Sequence, residues 1–288
     1  MPADRNLLKE NLHHLVGERH PLSSPIHLQE AEAYLHQQFS EAGLTVTTHP
    51  FQALGRTYHN VIGTAIPGTG PSQSALPLTV AAHFDTVQGS PGADDNASAL
   101  AVLLHIARHV QSVKLTRPIR FIGFNLEEHN LLGSSAYTAL LKRNREAIHG
   151  AIVLECVGYA SHLEHSQKIP PGVPIAVPTT GNFLAVIGNE QSKPLTGAVA
   201  QAMRLHLPIV PLVVPGNGEK LPDTRRSDHT SFWEQGFPAV MLTDTANFRN
   251  PHYHRPTDTL DTLNLDFIAS VADGVTAAVM ALAGQPSA

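Results

Sequence analysis

The stretch "VAAHFDTVQGSPGADDNASALAVLLHIARHV", Val80 to Val110, decides the fold. Its apolar opening belongs to the run "LPLTVAAHF", which reads as a strand covered on both faces. The run ends in His83 and Asp85. Asp94 and Asp95 then stand side by side, and the spacing of Leu100, Leu103, Leu104 and Ile106 predicts a helix from Asn96 to Val110. Charge is costly to bury unless it is paired, hydrogen-bonded or bound to metal. A buried strand that ends in charge therefore points to a binding site.

Two more apolar runs repeat the pattern. "PIRFIGFNL" leads into Glu127 and Glu128, and "GAIVLEC" carries Glu155 at its end. Further strands are predicted at "LTVTTHPF", "YHNVIGTAIPG", "FLAVIG" and "PAVMLTD". Helices are predicted at "HLQEAEAYLHQQFSEAG", "SSAYTALLKR" and "PLTGAVAQAMRL". Strands alternating with helices imply an α/β fold, a three-layer α/β/α sandwich around a mixed, mostly parallel sheet. Parallel strands bring their C-terminal ends to one edge, where open α/β sheets bind ligands. His83, Asp85, Glu127, Glu128 and Glu155 are thus expected to converge, with Asp94 and Asp95 nearby. Connections are expected at "GTGPSQSA" and in two long loops, "SQKIPPGVPIAVPTTG" and "VPGNGEKLPDTRRSDH". Structureless loops of that length are usually functional or mobile.

Composition narrows the classes. The 288 residues are 42% hydrophobic and 15% charged, which suits a globular core and not disorder. A net charge of −5 with no basic block argues against nucleic acid as a partner. Cys156 is the only cysteine, so no intramolecular disulfide framework exists, and a reducing compartment is expected. The N-terminal "MPADRNLLKENLHHLVGERH" lacks the layout of a signal peptide. The longest apolar stretch, "FIASVADGVTAAVMALAG", contains Asp273, is short for a membrane span and reads as a closing amphipathic helix. A cytoplasmic location with no membrane partner is the resulting expectation, and oligomeric state is left open.

Each motif alone has a plainer reading. "HFD" can be a histidine bonded to a nearby aspartate, "GADDNAS" a turn and helix cap, "EEH" a solvated loop start, and "NPHYHRPTDTLDTL" a loop with surface histidines. Their co-occurrence, in an order that brings the groups together, favours metal binding.

The set "HFD", "GADDNAS", "NLEEHNLLGS", "VLECVGY", "SDHTSF" and "NPHYHRPTDT" resembles the two-zinc aminopeptidases of metallopeptidase family twenty-eight, whose relatives include glutamate carboxypeptidase and glutaminyl cyclase. The likeness extends from about "GERHP" to "DTLDTL" and implies one zinc-exopeptidase domain over residues 1–288. It implies that His83 and Glu155 bind one metal, that Glu128 and His254 bind a second, and that Asp95 bridges them. Glu127 matches the general base, Asp85 would hold the His83 ring in place, and Asp228 would line or support the site. His254 is preferred to His252, and Asp95 to Asp94, from their positions in the family frame. Two departures stand out. Glu155 replaces the more usual aspartate, and "DTRRSDH" lacks the tyrosine that some relatives use to stabilise the transition state, leaving Arg226 or a backbone group for that role.

Imidazole and carboxylate donors suit Zn²⁺. Two divalent ions and a hydroxide between them balance the three carboxylates Asp95, Glu128 and Glu155. The implied activity is metal-dependent hydrolysis, with a peptide or small amide as substrate and removal of N-terminal amino acids as the foremost form. The alternatives are another amidase or deacylase, a glutaminyl-cyclase-like acyltransferase, and an interaction domain without catalysis.

Overall fold

The three apolar runs with charged ends are neighbouring parallel strands. A computed structural model describes residues 2–68 and 74–284; most of the connection expected at "GTGPSQSA" lies outside them. Strands β3 (Leu78–His83), β4 (Ile119–Phe124) and β5 (Gly150–Glu155) have few or no exposed positions. β3 lies between the other two, parallel to both, with His83 opposite Phe124 and Ala81 opposite Val153.

The full sheet has eight strands in the order β1-β2-β4-β3-β5-β8-β6-β7. β1 (Thr45–Ala53) and β2 (Arg56–Ala65) form an antiparallel hairpin on one flank, and β2 runs antiparallel to β4. On the other flank β8 (Ala239–Thr243) is parallel to β5 and antiparallel to β6 (Leu184–Asn189), which pairs in parallel with β7 (Ile209–Val214). The sheet is therefore mixed, with its parallel part at the centre, as the alternation of elements implies. β7 is absent from the sequence-based assignment. Pro211 interrupts its ladder and four of its six positions are partly exposed, both of which an edge strand tolerates.

Helices cover both faces. α1 (Arg5–Leu15), α2 (Pro25–Glu41), α3 (Ala99–His109), α5 (Lys193–Met203) and α7 (Leu265–Ala283) share the larger core, which includes Leu8, Leu35, Leu103, Val199 and Val275. α4 (Leu132–Arg143) and α6 (His229–Glu234) pack into a smaller core on the other face through Tyr137, Leu141, Phe232 and Trp233. α7 is long and apolar enough to span a membrane by composition, yet one side of it, including Ile268, Val271, Val275 and Val279, is buried in the protein core.

The helix expected from Asn96 begins three residues later, at Ala99. Ala93–Ser98 forms an irregular turn in which Asp95 and Asn96 have non-helical backbone angles and share a cis peptide bond. The local chemistry explains the departure. Asn96 Nδ2 donates to Leu154 O, and its Oδ1 accepts from Cys156 N. The turn is thus tied to the end of β5 instead of being wound into the helix. The preceding Gly92 has φ +62, and a Cβ there would lie 2.4 Å from both Asp95 O and Thr86 Cγ2. Only glycine fits that bend.

Candidate metal centre

Six side chains from five segments meet beyond the C-terminal ends of β3, β4 and β5. His83 Nε2 lies 3.2 Å from Asp95 Oδ1, 3.4 Å from Glu155 Oε2 and 3.9 Å from Glu127 Oε2. His254 Nε2 lies 3.0 Å from Asp95 Oδ2 and 3.2 Å from Glu128 Oε2. The donors form two groups, His83–Asp95–Glu155 and Asp95–Glu128–His254, each able to surround one ion, and Asp95 belongs to both. A third grouping, His83–Glu127–Glu128, overlaps them.

Several of these atoms are buried without a hydrogen-bond partner: His83 Nε2, both Asp95 oxygens and Glu128 Oε1. Unpaired buried polar atoms are costly, and here His83 Nε2 and the Asp95 oxygens stand at ion-pair distances from their neighbours without the angles of hydrogen bonds. The protonation pattern has the same origin. Burial pulls the His83 pKa down, but Glu127, Glu155, Asp85 and Asp95 overcome it and hold the ring well above its usual value. His254 is likewise carried against burial to about 10 by Asp95 and Glu128. Burial and the nearby Asp95 charge push Glu128 up to about 7, while burial, Glu155 and Glu128 push Glu127 well above the carboxylate range against the pull of His83. Asp95 moves the other way: His254 and His83 outweigh its desolvation and hold it ionised. Protons thus occupy positions that cations would fill, and nitrogen and oxygen donors at this spacing fit two zinc-type ions.

Neighbouring groups fix the donors. His83 Nδ1 lies 3.2 Å from the backbone oxygen of Asp85. The Asp85 carboxylate was expected to hold that ring, but its Oδ1 is 3.6 Å from Nδ1, and its main bonds run elsewhere. It accepts Glu127 N at 2.9 Å and Glu128 N at 3.1 Å, so Asp85 sets the turn that presents both glutamates. Ser227 Oγ donates to Glu155 Oε2 at 2.7 Å. Asp258 accepts Asp94 N and Asp95 N, fixing the turn that carries Asp95. Asp94 points away from the cluster, accepting from Gly158 N and Asn250 Nδ2. His252 bonds Thr257, outside both donor groups. Asp228 is fully buried with both oxygens unpaired, and burial lifts it to about 7; it is near the cluster but in neither donor group.

Two residues near the site were missed by sequence reasoning. Arg19, within "GERHP", is 2% exposed and donates to the carbonyls of Leu15, Gly17, Phe84, Pro91 and Gly92. It ties the chain before α2 to both ends of the loop between β3 and Asp94. Tyr253 is the second. Its ring stacks on His254 with centroids 3.8 Å apart, and its hydroxyl accepts from Arg226 Nη2 at 3.1 Å. Burial, then Asp95, Cys156, Glu155 and Glu128, push its phenol pKa far up, so it keeps its proton. The signal was its place in "NPHYHRPTDT", one residue before His254. Arg226, which with a backbone group was expected in the place of a missing tyrosine, donates to a tyrosine from another segment.

Beside the cluster an apolar pocket opens. Glu155, Tyr253 and Arg226 line it toward the metal centre, and Phe183, Ala185, Ile187, Val210, Leu212 and Met241 form its depth. The two long loops contribute as expected, through Gln167–Val177 on one side and Asp223–Arg226 on the other, but strands β6, β7 and β8 supply the floor.

Comparison with known proteins agrees with this geometry. The family model described as "Peptidase family M28" matches residues 60–279. The uncharacterized protein YfbL of Escherichia coli (strain K12) is 31% identical, over 95% of this chain and 87% of its own length. Leucine aminopeptidase 1 of Arthroderma otae is 27% identical over 88% of this chain and 68% of its own. Among solved structures, the zinc aminopeptidase BSAP from Bacillus subtilis superposes with a TM-score of 0.60 at 27% identity, over 81% of this chain and 52% of that one. Macrostomum lignano glutaminyl cyclase superposes with a TM-score of 0.73 at 16% identity, over 97% of this chain and 89% of that one, a likeness of fold alone.

Proposed function

The chain belongs to peptidase family M28, and from that premise we propose that it is a two-zinc aminopeptidase acting on peptides with a free amine and an apolar first side chain. The observation that carries this reading is the pair of donor groups sharing Asp95, with Glu127 beside them and an apolar pocket opening next to Glu155.

His83, Asp95 and Glu155 would hold one ion, and Asp95, Glu128 and His254 the other. Two zinc ions at such a site polarise a carbonyl and make water a usable nucleophile near neutral pH. Glu127 takes the water's proton and later gives it to the leaving amine. Its buried setting and carboxylate neighbours favour holding that proton between the two steps. Tyr253 keeps an O–H that can donate to the developing oxyanion, the kind of fixed donor that often dominates acyl-transfer catalysis. The apolar pocket takes the first side chain, and the substrate's free amine meets the carboxylates of the cluster, which a blocked terminus leaves without a cation.

A glutaminyl-cyclase-like acyltransferase is less well supported. The single-metal variant that the resemblance implies for it does not use the His83-type ligand, whereas His83 here sits within reach of Asp95 and Glu155. A cytoplasmic location belongs to the same proposal, supported by the one buried, unpaired Cys156. Calorimetric zinc titration tests the shared ligand. Two equivalents are expected for the wild type, one for Glu155→Ala and no tight site for Asp95→Ala; one tight equivalent surviving in Asp95→Ala contradicts the bridging role.

A further inference from the structure

Among the described residues, Arg226 is the one cation on the wall that joins the metal cluster to the apolar pocket. Its Nη1 donates to Asn247 Oδ1 at 2.8 Å and lies 3.6 Å from Asp223 Oδ1. Its Nη2 donates to Tyr253 Oη at 3.1 Å, with the guanidinium carbon 5.6 Å from the Tyr253 ring centroid. Both terminal nitrogens are therefore engaged.

A tyrosine hydroxyl has one proton and two lone pairs, and its rotor turns to suit whichever partner is fixed. The Tyr253 ring is fixed by stacking on His254, with the planes 16° apart. Its rotor is fixed by Arg226, which takes one lone pair. No acceptor for the hydroxyl's own proton appears among the described residues. The proton is thus directed away from Arg226 and left for a group arriving between the cluster and the pocket.

We propose that Arg226 is a positioning residue for peptide hydrolysis: by occupying a lone pair of Tyr253 it aims that hydroxyl's proton at the carbonyl oxygen under attack. The proposal rests on the aminopeptidase reading above. It differs from a direct role for the guanidinium, since Arg226 acts only through Tyr253. Oriented donors strengthen where charge develops, so the contribution falls on turnover and not on ground-state binding.

The test is a double-mutant cycle on zinc-loaded enzyme with a leucyl peptide. Removing an oxyanion donor costs about 10²-fold in kcat, so Tyr253→Phe is expected to lose about that much. Arg226→Met, which misaligns the donor without removing it, is expected to lose about tenfold in kcat with KM within about twofold. In the Tyr253→Phe background, Arg226→Met should cost less than about twofold, because nothing remains to aim. Arg226→Lys should restore most of the single-variant loss. A second readout avoids turnover: affinity for L-leucinephosphonic acid, whose tetrahedral oxygens mimic the transition state, should fall in Arg226→Met while affinity for leucine holds. Equal losses in both backgrounds, or a raised KM with unchanged kcat, overturn the proposal. Failure of the aminopeptidase reading is distinguishable, because zinc-loaded wild type would then release no amino acid at all, and the Arg226 assignment falls with it.

Discussion

Replacing Glu127 by glutamine isolates the proton-transfer step. Glu127 is 8% exposed, its Oε2 is 3.9 Å from His83 Nε2, and its backbone N is held by Asp85. Glutamine keeps the side chain's volume and one acceptor oxygen, so the turn bonded to Asp85 persists, but an amide does not take up the water's proton. A positioned general base contributes about 10²–10⁴-fold, which at about 1.4 kcal/mol per decade raises the barrier by about 3–5 kcal/mol. The variant should still bind two zinc ions, since Glu127 belongs to neither of the two groups joined by Asp95. The assay pairs kcat on a leucyl tripeptide with zinc content and melting temperature of the same preparation. The expected result is a kcat lower by at least about 10²-fold, with two zinc ions retained and a melting temperature near that of the wild type. Near-wild-type turnover in a doubly loaded variant refutes the role of Glu127.

Further outcomes follow from the same geometry. Metal-free protein should melt at lower temperature than zinc-loaded protein, because ions held only by the folded donor set stabilise the fold; identical melting curves in chelator argue against tight metal binding. The metal-free form should also lose stability as pH rises. Glu128, Asp228 and Asp258 have folded pKa values raised to about 7, mainly by burial, so they favour the fold when protonated, and that contribution is lost from about pH 4 to pH 7. His254, raised to about 10 against burial by Asp95 and Glu128, stabilises fully below its unfolded pKa of about 6.5 and loses its contribution up to about pH 10. Denaturant melts of chelated protein from pH 5 to 9 should show a steady fall, and a rise would contradict the assigned burial. Gly92→Ala should lower stability by at least about 1–3 kcal/mol and weaken zinc binding, because φ +62 and the contact with Asp95 O leave no room for a methyl group; wild-type zinc affinity would refute that reading of the turn. Ala185→Leu, on the pocket floor, should raise KM for leucyl and phenylalanyl peptides about tenfold while sparing alanyl peptides, and equal effects on all three would remove the pocket from substrate selection.

The centre of the sheet was legible because β3, β4 and β5 are apolar on both faces and end in residues that do not belong in a core. His83, Glu127, Glu128 and Glu155 stood out because their motifs sit where those strands stop, whereas Asp95 and His254 were named only from their places in the family resemblance. β7 was not legible, since Pro211 and half-exposed positions hide a strand that lies at the sheet edge. The helix start was misplaced because Asn96 bonds to β5, a long-range contact that local periodicity does not register. Tyr253 and Arg226 come from separate segments and acquire meaning only where those meet. Asp85 was placed beside His83 correctly, but its bonds to Glu127 N and Glu128 N depend on how β3 and β4 lie in register.

The most direct test of the account is release of the first amino acid from matched peptides, one set with a free N-terminus and one N-acetylated, using zinc-loaded protein with and without chelator. The account predicts release from the free peptides alone, fastest for apolar first residues, and none in chelator. No release from either set, by protein carrying two zinc ions, would contradict it.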